Sequence, residues 1–582
     1  MHKITLTFSL FLILTSTLLL GCNDSDPVPE FTIEDPSIED PSIEDPTVEE
    51  SIVEEPIVIE PELDHSGLTP INTKTIDKSE YLSGGDATTF VSNENAFSRR
   101  PAAIVDDFQA DGHFTQGDHL FRTPDNNIGP ILSTGSCQGC HLNDGRGVVP
   151  DSPTTPMSSM LVKLADSEGN VDPMYGDQIQ PFSINGFIDG NTLSDGLSKH
   201  DGSVSGTELY GEAFPFIVFE TITGSYPDGT AYELRNPIYK VKDLSYGAFV
   251  DDIHFSARIA PQAFGVGLLG AIPQDNLLAL VDEGDTDNDG ISGRASMVTD
   301  VFDKEGDKVI GRFAYKAQNP TVLQQVSGAN NGDMGVSTSV FSGEQCSDFQ
   351  LACLLAAEQE TNSGDVVDLG DHSLALIEFY NRVLAVPARR GYDQNNDTWD
   401  EDISAGRNLF LDANCSGCHT PRHVTGDAKG SVLGELSLSG LIANTDTQQA
   451  EDIAVLSNQT IYPYTDLLLH DMGGSCEVTR ETAEKLACTD GAECLYVQRC
   501  DGLADGVIQN DASGTEWKTP ALWGLGLVQT VNAASSFLHD GRARTIEEAV
   551  LWHNGEAKTS KETFMNYSKA ERAQLLAFLA SL

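Results

Sequence analysis

The sequence predicts a mainly α-helical protein with long loops and a few short strands, built as two similar domains in tandem, the first carrying a large insert. Three observations predict it. A Gly-x-x-Leu-Phe string at Gly117–Phe121 recurs at Gly406–Phe410. Each copy is followed by Cys-x-x-Cys-His, at Cys137–His141 and Cys415–His419. Each half then closes on a stretch of helical apolar periodicity.

At 582 residues, 39% hydrophobic and 21% charged, the chain can bury more than one core. The 34 Lys and Arg against 89 Asp and Glu give a net charge of −55. That balance excludes nucleic-acid binding through phosphate neutralisation and disfavours adhesion to anionic lipid. It favours a basic partner through electrostatic steering.

The first 22 residues read as an export signal. Lys3 gives the positive end, Phe8 to Leu20 the apolar core, and Leu19-Leu20-Gly21-Cys22 a bacterial lipoprotein cleavage site with Cys22 lipidated. An ordinary secretory signal that happens to contain a Cys is the alternative, and either implies export. Residues 23–65 form an acidic, Pro-rich tether in which Ile-Glu-Asp-Pro-Ser is repeated from Ile33, Ile38 and Ile43. Like charges and Pro keep such a segment extended, with a reach of about 100 Å from the anchor. These features place the folded part in the periplasm, touching a cell-envelope membrane only through its lipid.

The paired Cys-x-x-Cys-His strings carry the chemistry. Two thiols on one turn can add to the two vinyl groups of a haem, and the adjacent imidazole reaches the iron. Roughly 0.005 such strings are expected by chance at this composition, so two copies are a signal. A redox Cys-x-x-Cys or half a zinc site is the competing reading, but no further Cys or His pair at zinc spacing follows either motif. Two covalent haem c groups follow, on Cys137, Cys140, Cys415 and Cys418, with His141 and His419 as iron ligands.

The Gly-x-x-Leu-Phe strings fit opening helices packed on each haem. Ser373 to Val386 closes the first half, with apolar residues at 374, 377, 380 and 384 and a stop at Pro387. Ser568 to Leu582 closes the second, opened by the capping pair Ser568 and Glu571, with Leu575, Leu576, Leu579 and Leu582 on one face. Two cytochrome c-like domains are expected, at 66–387 and 388–582.

The insert, rich in Gly, Asp and Thr, is expected to hold loops, short helices and small hairpins, with Phe216-Ile217-Val218-Phe219 as a strand-like run. Asp285, Asp287 and Asp289 before Gly290 have the alternation of a calcium loop, although Ser296 stands where the bidentate Glu of an EF-hand belongs. An acidic turn fits equally. Cys346, Cys353, Cys476, Cys488, Cys494 and Cys500 read as disulfides, with Cys346–Cys353 local and the pairing of the last four open.

Together with the two haem motifs, several strings resemble the bacterial di-haem cytochrome c peroxidase superfamily: Lys518-Thr519-Pro520-Ala521-Leu522, His539-Asp540-Gly541-Arg542 and Thr545-Ile546-Glu547-Glu548-Ala549-Val550. The closer resemblance is to its di-haem oxidoreductase, or so-called thiol oxidoreductase, branch. It is carried by Asp144–Gly147, Gly265–Leu269, Gly311–Ala317 and Trp552–Ala557, and it covers roughly residues 80 to 582.

The resemblance implies a peroxide-reactive N-terminal haem, a C-terminal haem that receives electrons, an aromatic residue between them, and a Gln and a Glu beside the peroxide. Tyr315 matches the bridging aromatic, usually Trp. Gln324 or Gln325 follows, and Asp333 matches the Glu of a Glu-Met-Gly string. Asp is one methylene shorter than Glu, and Tyr is harder to oxidise than Trp without a proton acceptor. As residues alone, Asp333 also reads as a turn residue and Tyr315 as core. Arg312 and Lys316 read as propionate partners or as solvated cations.

For the second haem, the resemblance places the sixth ligand 14 residues after the His of His-Asp-Gly, usually as Met; from His539 that is His553. His539 is the rival, and a histidine that merely caps the helix end is the plainer alternative. Met157, Met160 and His254 are candidates opposite His141. The implied function is an exported di-haem oxidoreductase of cytochrome c peroxidase type, taking electrons from a small cytochrome at the C-terminal haem and reacting with hydrogen peroxide at the N-terminal one. The alternatives are a tethered di-haem electron-transfer protein, or an oxidase of a protein or metal partner.

Overall fold

A computed structural model describes residues 76–582 apart from 124–127, 185, 190–191, 194–208, 210, 362–366, 434–436, 439–440, 443–452, 483, 487 and 489–493. The export signal with Cys22 and the tether at 23–65 lie outside the described residues. The described ones belong to one unit, Leu63–Leu582. Among them no helix is long and apolar enough to cross a membrane.

In the first half, Asp107 caps helix α1 (Phe108–Arg122), its carboxylate accepting from the backbone N–H of Gln109 and Ala110 at 3.0 Å each. Ala110, Phe114, Gly117 and Phe121 form its buried stripe, the spacing that puts side chains on one helical face. The first Cys-x-x-Cys is a single turn, α2 (Cys137–Cys140). Strands β1 (Met160–Ala165), β2 (Gln178–Ile179), β3 (Phe214–Ser225), β4 (Ala231–Lys242) and β5 (His254–Ile259) belong to the insert. It is followed by α3 (Val322–Met334) and the closing helix α4 (Asp371–Arg382).

The second half opens with α5 (Glu401–Asp412). Strands β6 (Leu469–Asp471), β7 (Cys476–Glu481), β8 (Leu495–Cys500) and β9 (Glu516–Lys518) lead to α6 (Ile546–Trp552) and the closing helix α7 (Lys569–Ser581).

Opening and closing helices cross in the same way in both halves. A Cβ on Gly117 would run into the carbonyl oxygen of Leu376 in α4 and the Cβ of Tyr380. A Cβ on Gly406 would run into the carbonyl oxygen of Gln574 in α7 and the Cβ of Phe578. The glycine of each Gly-x-x-Leu-Phe string is therefore the point of closest helix approach, where only a hydrogen fits. Leu374, Ile377, Tyr380 and Leu384 are buried as their spacing implies, but α4 ends at Arg382, ahead of the expected Val386. The residue before a proline is pushed out of helical geometry, and Val386-Pro387 instead pairs in parallel with Thr88-Thr89. Ser568 and Glu571 form the full capping box on α7.

The insert holds longer strands than small hairpins. Strands β3 and β4 pair over 12 residues each, from Phe214↔Lys242 to Ser225↔Ala231. The outer part of β3, Thr221 to Ser225, is mostly polar and exposed, so hydrophobic patterning alone does not mark it as strand. The sheet order is β7-β8-β4-β3, all antiparallel, and β8 of the second half hydrogen-bonds to β4 of the first-half insert. Disulfides join Cys346–Cys353, Cys476–Cys500 across the directly opposed ends of β7 and β8, and Cys488–Cys494 between those strands. The main core draws on both halves; a smaller one gathers Met157, Met160, Tyr239, Phe255 and Tyr496.

Candidate haem sites and the residues between them

Among the described residues, four cysteines stand outside the disulfides: Cys137, Cys140, Cys415 and Cys418. Ser136 caps α2, its Oγ accepting from Gly139 N at 3.2 Å, which sets the first pair on one turn. The second pair spans a 3-10 turn begun by Asn414 in left-handed geometry. Burial, followed by the Asp333 carboxylate, pushes the Cys137 and Cys140 thiols up to about 12; burial raises Cys415 to about 12 as well. A reactive redox pair needs an accessible, low-pKa thiolate, which burial at these sites opposes.

The histidines are prepared as neutral ligands. Nδ1 of His141 donates to the carbonyl oxygen of Pro261 at 2.7 Å, and Nδ1 of His419 to that of Tyr464 at 3.0 Å. A carbonyl only accepts, so Nδ1 carries the proton and the Nε2 lone pair is left for a metal. Burial holds His141 below the usual imidazole range and His419 down to about 4. The Phe of each Gly-x-x-Leu-Phe string faces its histidine: Phe121 lies 5.9 Å from His141 and Phe410 6.5 Å from His419, between ring centroids. Two thiols, one imidazole with a free Nε2, and an aromatic wall fit a haem in each half.

The two sites differ on their far sides. After burial, the strongest influence on His419 is the His553 imidazole, so these rings are neighbours. His553 caps the end of α6, and its Nδ1 donates to Ala549 O at 2.7 Å, leaving its own Nε2 free. Among the described residues, no second imidazole acts on His141. Met157 and Met160 are consumed in the smaller core, and His254 hydrogen-bonds to Asp252 O at 3.0 Å.

Asp333 instead lies beside the first thiol pair, at the end of α3, and burial pushes its carboxyl up to about 6. Neither glutamine of the Gln324-Gln325 pair hydrogen-bonds to it. The Gln325 Oε1 accepts from Asn319 at 2.9 Å, and Gln324 is tied to Val301 and Asn319. Gln178 on β2 takes the place, its Nε2 donating to Asp333 Oδ1 at 3.1 Å and to Gly332 O at 2.9 Å. The Gln178 Oε1 is buried and without a partner. A lone glutamine in a two-residue strand gives no local signal, which is why sequence reasoning missed it.

Tyr315 sits among aromatic and charged groups. Its hydroxyl donates to Ile259 O at 3.0 Å, and Arg146, in the loop after the first haem motif, approaches it at 3.5 Å. Its ring meets Trp517 of β9 edge-on at 6.2 Å and His539 at 6.4 Å. Lys316 Nζ lies 4.5 Å and the Arg258 guanidinium 5.4 Å above the Trp517 ring, and both pair with Asp505, at 3.1 and 3.2 Å. Lys316 is thus buried rather than solvated, while Arg312 donates to the carbonyls of Leu269, Gly270 and Ile272 at the end of a short helix. His539 is stacked on Trp517, whereas the imidazole that acts most strongly on His419 is that of His553.

Trp517 pairs across β6–β9 with His470, whose Nδ1 lies 3.5 Å from Cys418 Sγ. Asp466 and Glu556 each hold His470 at 2.8 Å, and, against the effect of burial, the Asp466 carboxylate and then the Cys418 sulfur raise its pKa well above the usual imidazole range. The Asp285, Asp287 and Asp289 oxygens lie within 4.8 Å of one another, and Asp289 accepts from Asn414, next to Cys415, at 2.9 Å. Ser296 is buried and supplies no carboxylate.

Both halves therefore carry the makings of a haem site. The chain belongs to the family described as "di-haem oxidoreductase, putative peroxidase", whose model matches residues 78–487 and 488–582. The family implies haem cofactors and oxidoreductase activity. No curated protein matches the chain. Among solved structures, the hydrazine synthase of Kuenenia stuttgartiensis, in a crystal pressurised with xenon, is 15% identical, with a TM-score of 0.20, over 41% of this chain. The chain spans 63% of that one's length. A likeness this weak carries no argument about fold or function.

Proposed function

We propose that this protein is an exported di-haem c-type peroxidase with two cytochrome c-like halves, in which the C-terminal haem takes up electrons and the N-terminal haem meets peroxide. One observation carries the reading: His419 has His553 for a neighbour, while among the described residues no second imidazole acts on the first site, which has the Asp333 carboxyl beside its thiols. A haem bound by Cys137, Cys140 and His141 would supply one-electron chemistry and an iron able to take an oxygen ligand. Asp333, at about 6, can accept a proton from a peroxide oxygen and return it to the departing one near neutral pH. Gln178 holds the Asp333 Oδ1 in place.

The cofactors are two covalently bound haem c groups. Calcium at Asp285, Asp287 and Asp289 would tie the insert to Asn414 beside the second haem motif. The net charge of −55 favours a small basic cytochrome as donor. Lipidation at Cys22 would hold the protein to the cell-envelope membrane, with the folded part in the periplasm.

The test is the electronic spectrum of the holoprotein, oxidised and half-reduced. One haem is expected to be high-spin in at least one state and to shift with cyanide, and the other to stay low-spin. A wholly low-spin spectrum in both states, insensitive to peroxide and cyanide, would favour the electron-transfer alternative.

A further inference from the structure

The β3–β4 hairpin leaves the first-half insert and ends on the helix that carries His553. At its tip the Tyr226 hydroxyl donates to Glu547 Oε1 of α6 at 2.6 Å. The Arg572 guanidinium of α7 covers the Tyr226 ring at 3.8 Å and pairs with Asp228 at 2.7 Å. Phe564 meets the same ring edge-on at 6.3 Å. Along the shaft, Arg235 donates to the carbonyls of Arg542 and Gly541, at 3.1 and 2.7 Å. Arg544 reaches the Glu233 carbonyl at 3.2 Å while pairing with Glu548 of α6.

Helix α6 has seven residues, about two turns. Helices this short do not hold themselves in water, so their position is set by what packs on them. Glu547 and Glu548 lie in its first turn and are both held in arrangements that involve the hairpin; His553 follows its last residue. A shift at one end is passed to the other, because two turns leave no slack.

We propose that the tip of the β3–β4 hairpin braces the helix that carries the second haem's sixth ligand, with Tyr226 and Arg572 as positioning residues for His553. This rests on the reading of His553 as that ligand. The brace makes ligation in one half depend on an element of the other.

The test uses the full-length holoprotein and Tyr226→Phe, which removes one oxygen and keeps the ring under Arg572. The second haem, low-spin and slow to take up cyanide, can do so only as its ligand leaves, so the rate of that slow capture reads His553 release. In Tyr226→Phe the rate at the second haem is expected to rise about tenfold, with that at the first haem unchanged. Amide exchange over 546–553 should speed up while that of α5 and α7 does not, a signature that a general loss of stability would not give. Unchanged exchange in α6 overturns the brace whatever ligates the iron. Faster exchange with unchanged cyanide capture overturns its role in positioning the ligand. His553→Met separates the two ideas: an unaltered second-haem spectrum there removes the ligand assignment itself.

Discussion

His539 lies flat on Trp517, with ring centroids 3.8 Å apart and planes 14° from parallel. Burial holds the imidazole down to about 4, so at neutral pH it is an uncharged stacking partner. Trp517 connects in one direction to Tyr315 and Arg146, beside the first haem motif, and in the other to His470, beside Cys418. A large oxidisable ring thus stands between the two motifs, next to the tyrosine that sequence matching assigns to that place.

Trp517→Phe is expected to slow electron passage between the haems by about tenfold or more, while Tyr315→Phe leaves it within about a factor of two. The Tyr315 phenol donates to a backbone carbonyl, which cannot take its proton, so the phenol is poorly placed to be oxidised. Rapid mixing of half-reduced protein with peroxide, following the second haem, measures both. Equal losses in the two variants would return the role to Tyr315.

Asp333 should give a pH dependence of defined sign. Its carboxyl is raised by burial from 3.8 to about 6 in the folded protein. The group therefore contributes its full stability below pH 4, and that contribution is lost as pH rises through 6, by about 3 kcal/mol in all. Asp333→Asn should gain on the parent protein at pH 8 and not at pH 4, as followed by urea unfolding. Peroxidase activity should rise through pH 6 in the parent and fall by about 100-fold or more in the variant. Gln178→Leu removes a donor to the carboxylate and should move that limb to higher pH; an unmoved limb would show that Gln178 does not tune Asp333.

His553→Met should raise the midpoint potential of the second haem and add the weak near-infrared band of Met-ligated ferric haem. A potentiometric titration with spectra checks it, and an unchanged potential would show that another group binds.

Two glycines on α1 make a controlled pair. Gly117→Ala forces a methyl into the Leu376 carbonyl and should cost about 1–3 kcal/mol. A methyl on Gly112 would meet nothing within 4 Å, so Gly112→Ala should stabilise by up to about 1 kcal/mol through helix propensity. Thermal unfolding of the two variants should move in opposite directions.

What was legible in the sequence was local. The Cys-x-x-Cys-His turns, the capping box at Ser568 and the phenylalanines facing His141 and His419 follow from spacings of a few residues. The count from His539 to His553 landed on an imidazole beside His419 because a short capped helix fixes the distance. Gln178, Trp517 and His470 were not legible as site residues, since each reaches its place by strand pairing or packing with chain far away in sequence. The Gln325 side chain is tied to Asn319 rather than to Asp333, and a family string does not report such local pairing. The outer hairpin was hidden because its pairing is made by backbone groups under polar side chains.

The pairing of β8 with β4 sets an order of events in synthesis. About 250 residues separate the paired segments, so the loop between them closes at an entropic cost that local helices avoid, and closure is slow by contact order. Until Leu495 to Cys500 has emerged, β4 shows an open edge able to recruit a strand from another chain. A shortened protein ending near residue 400 would keep that edge for good, and aggregation rather than a working half is its expected fate.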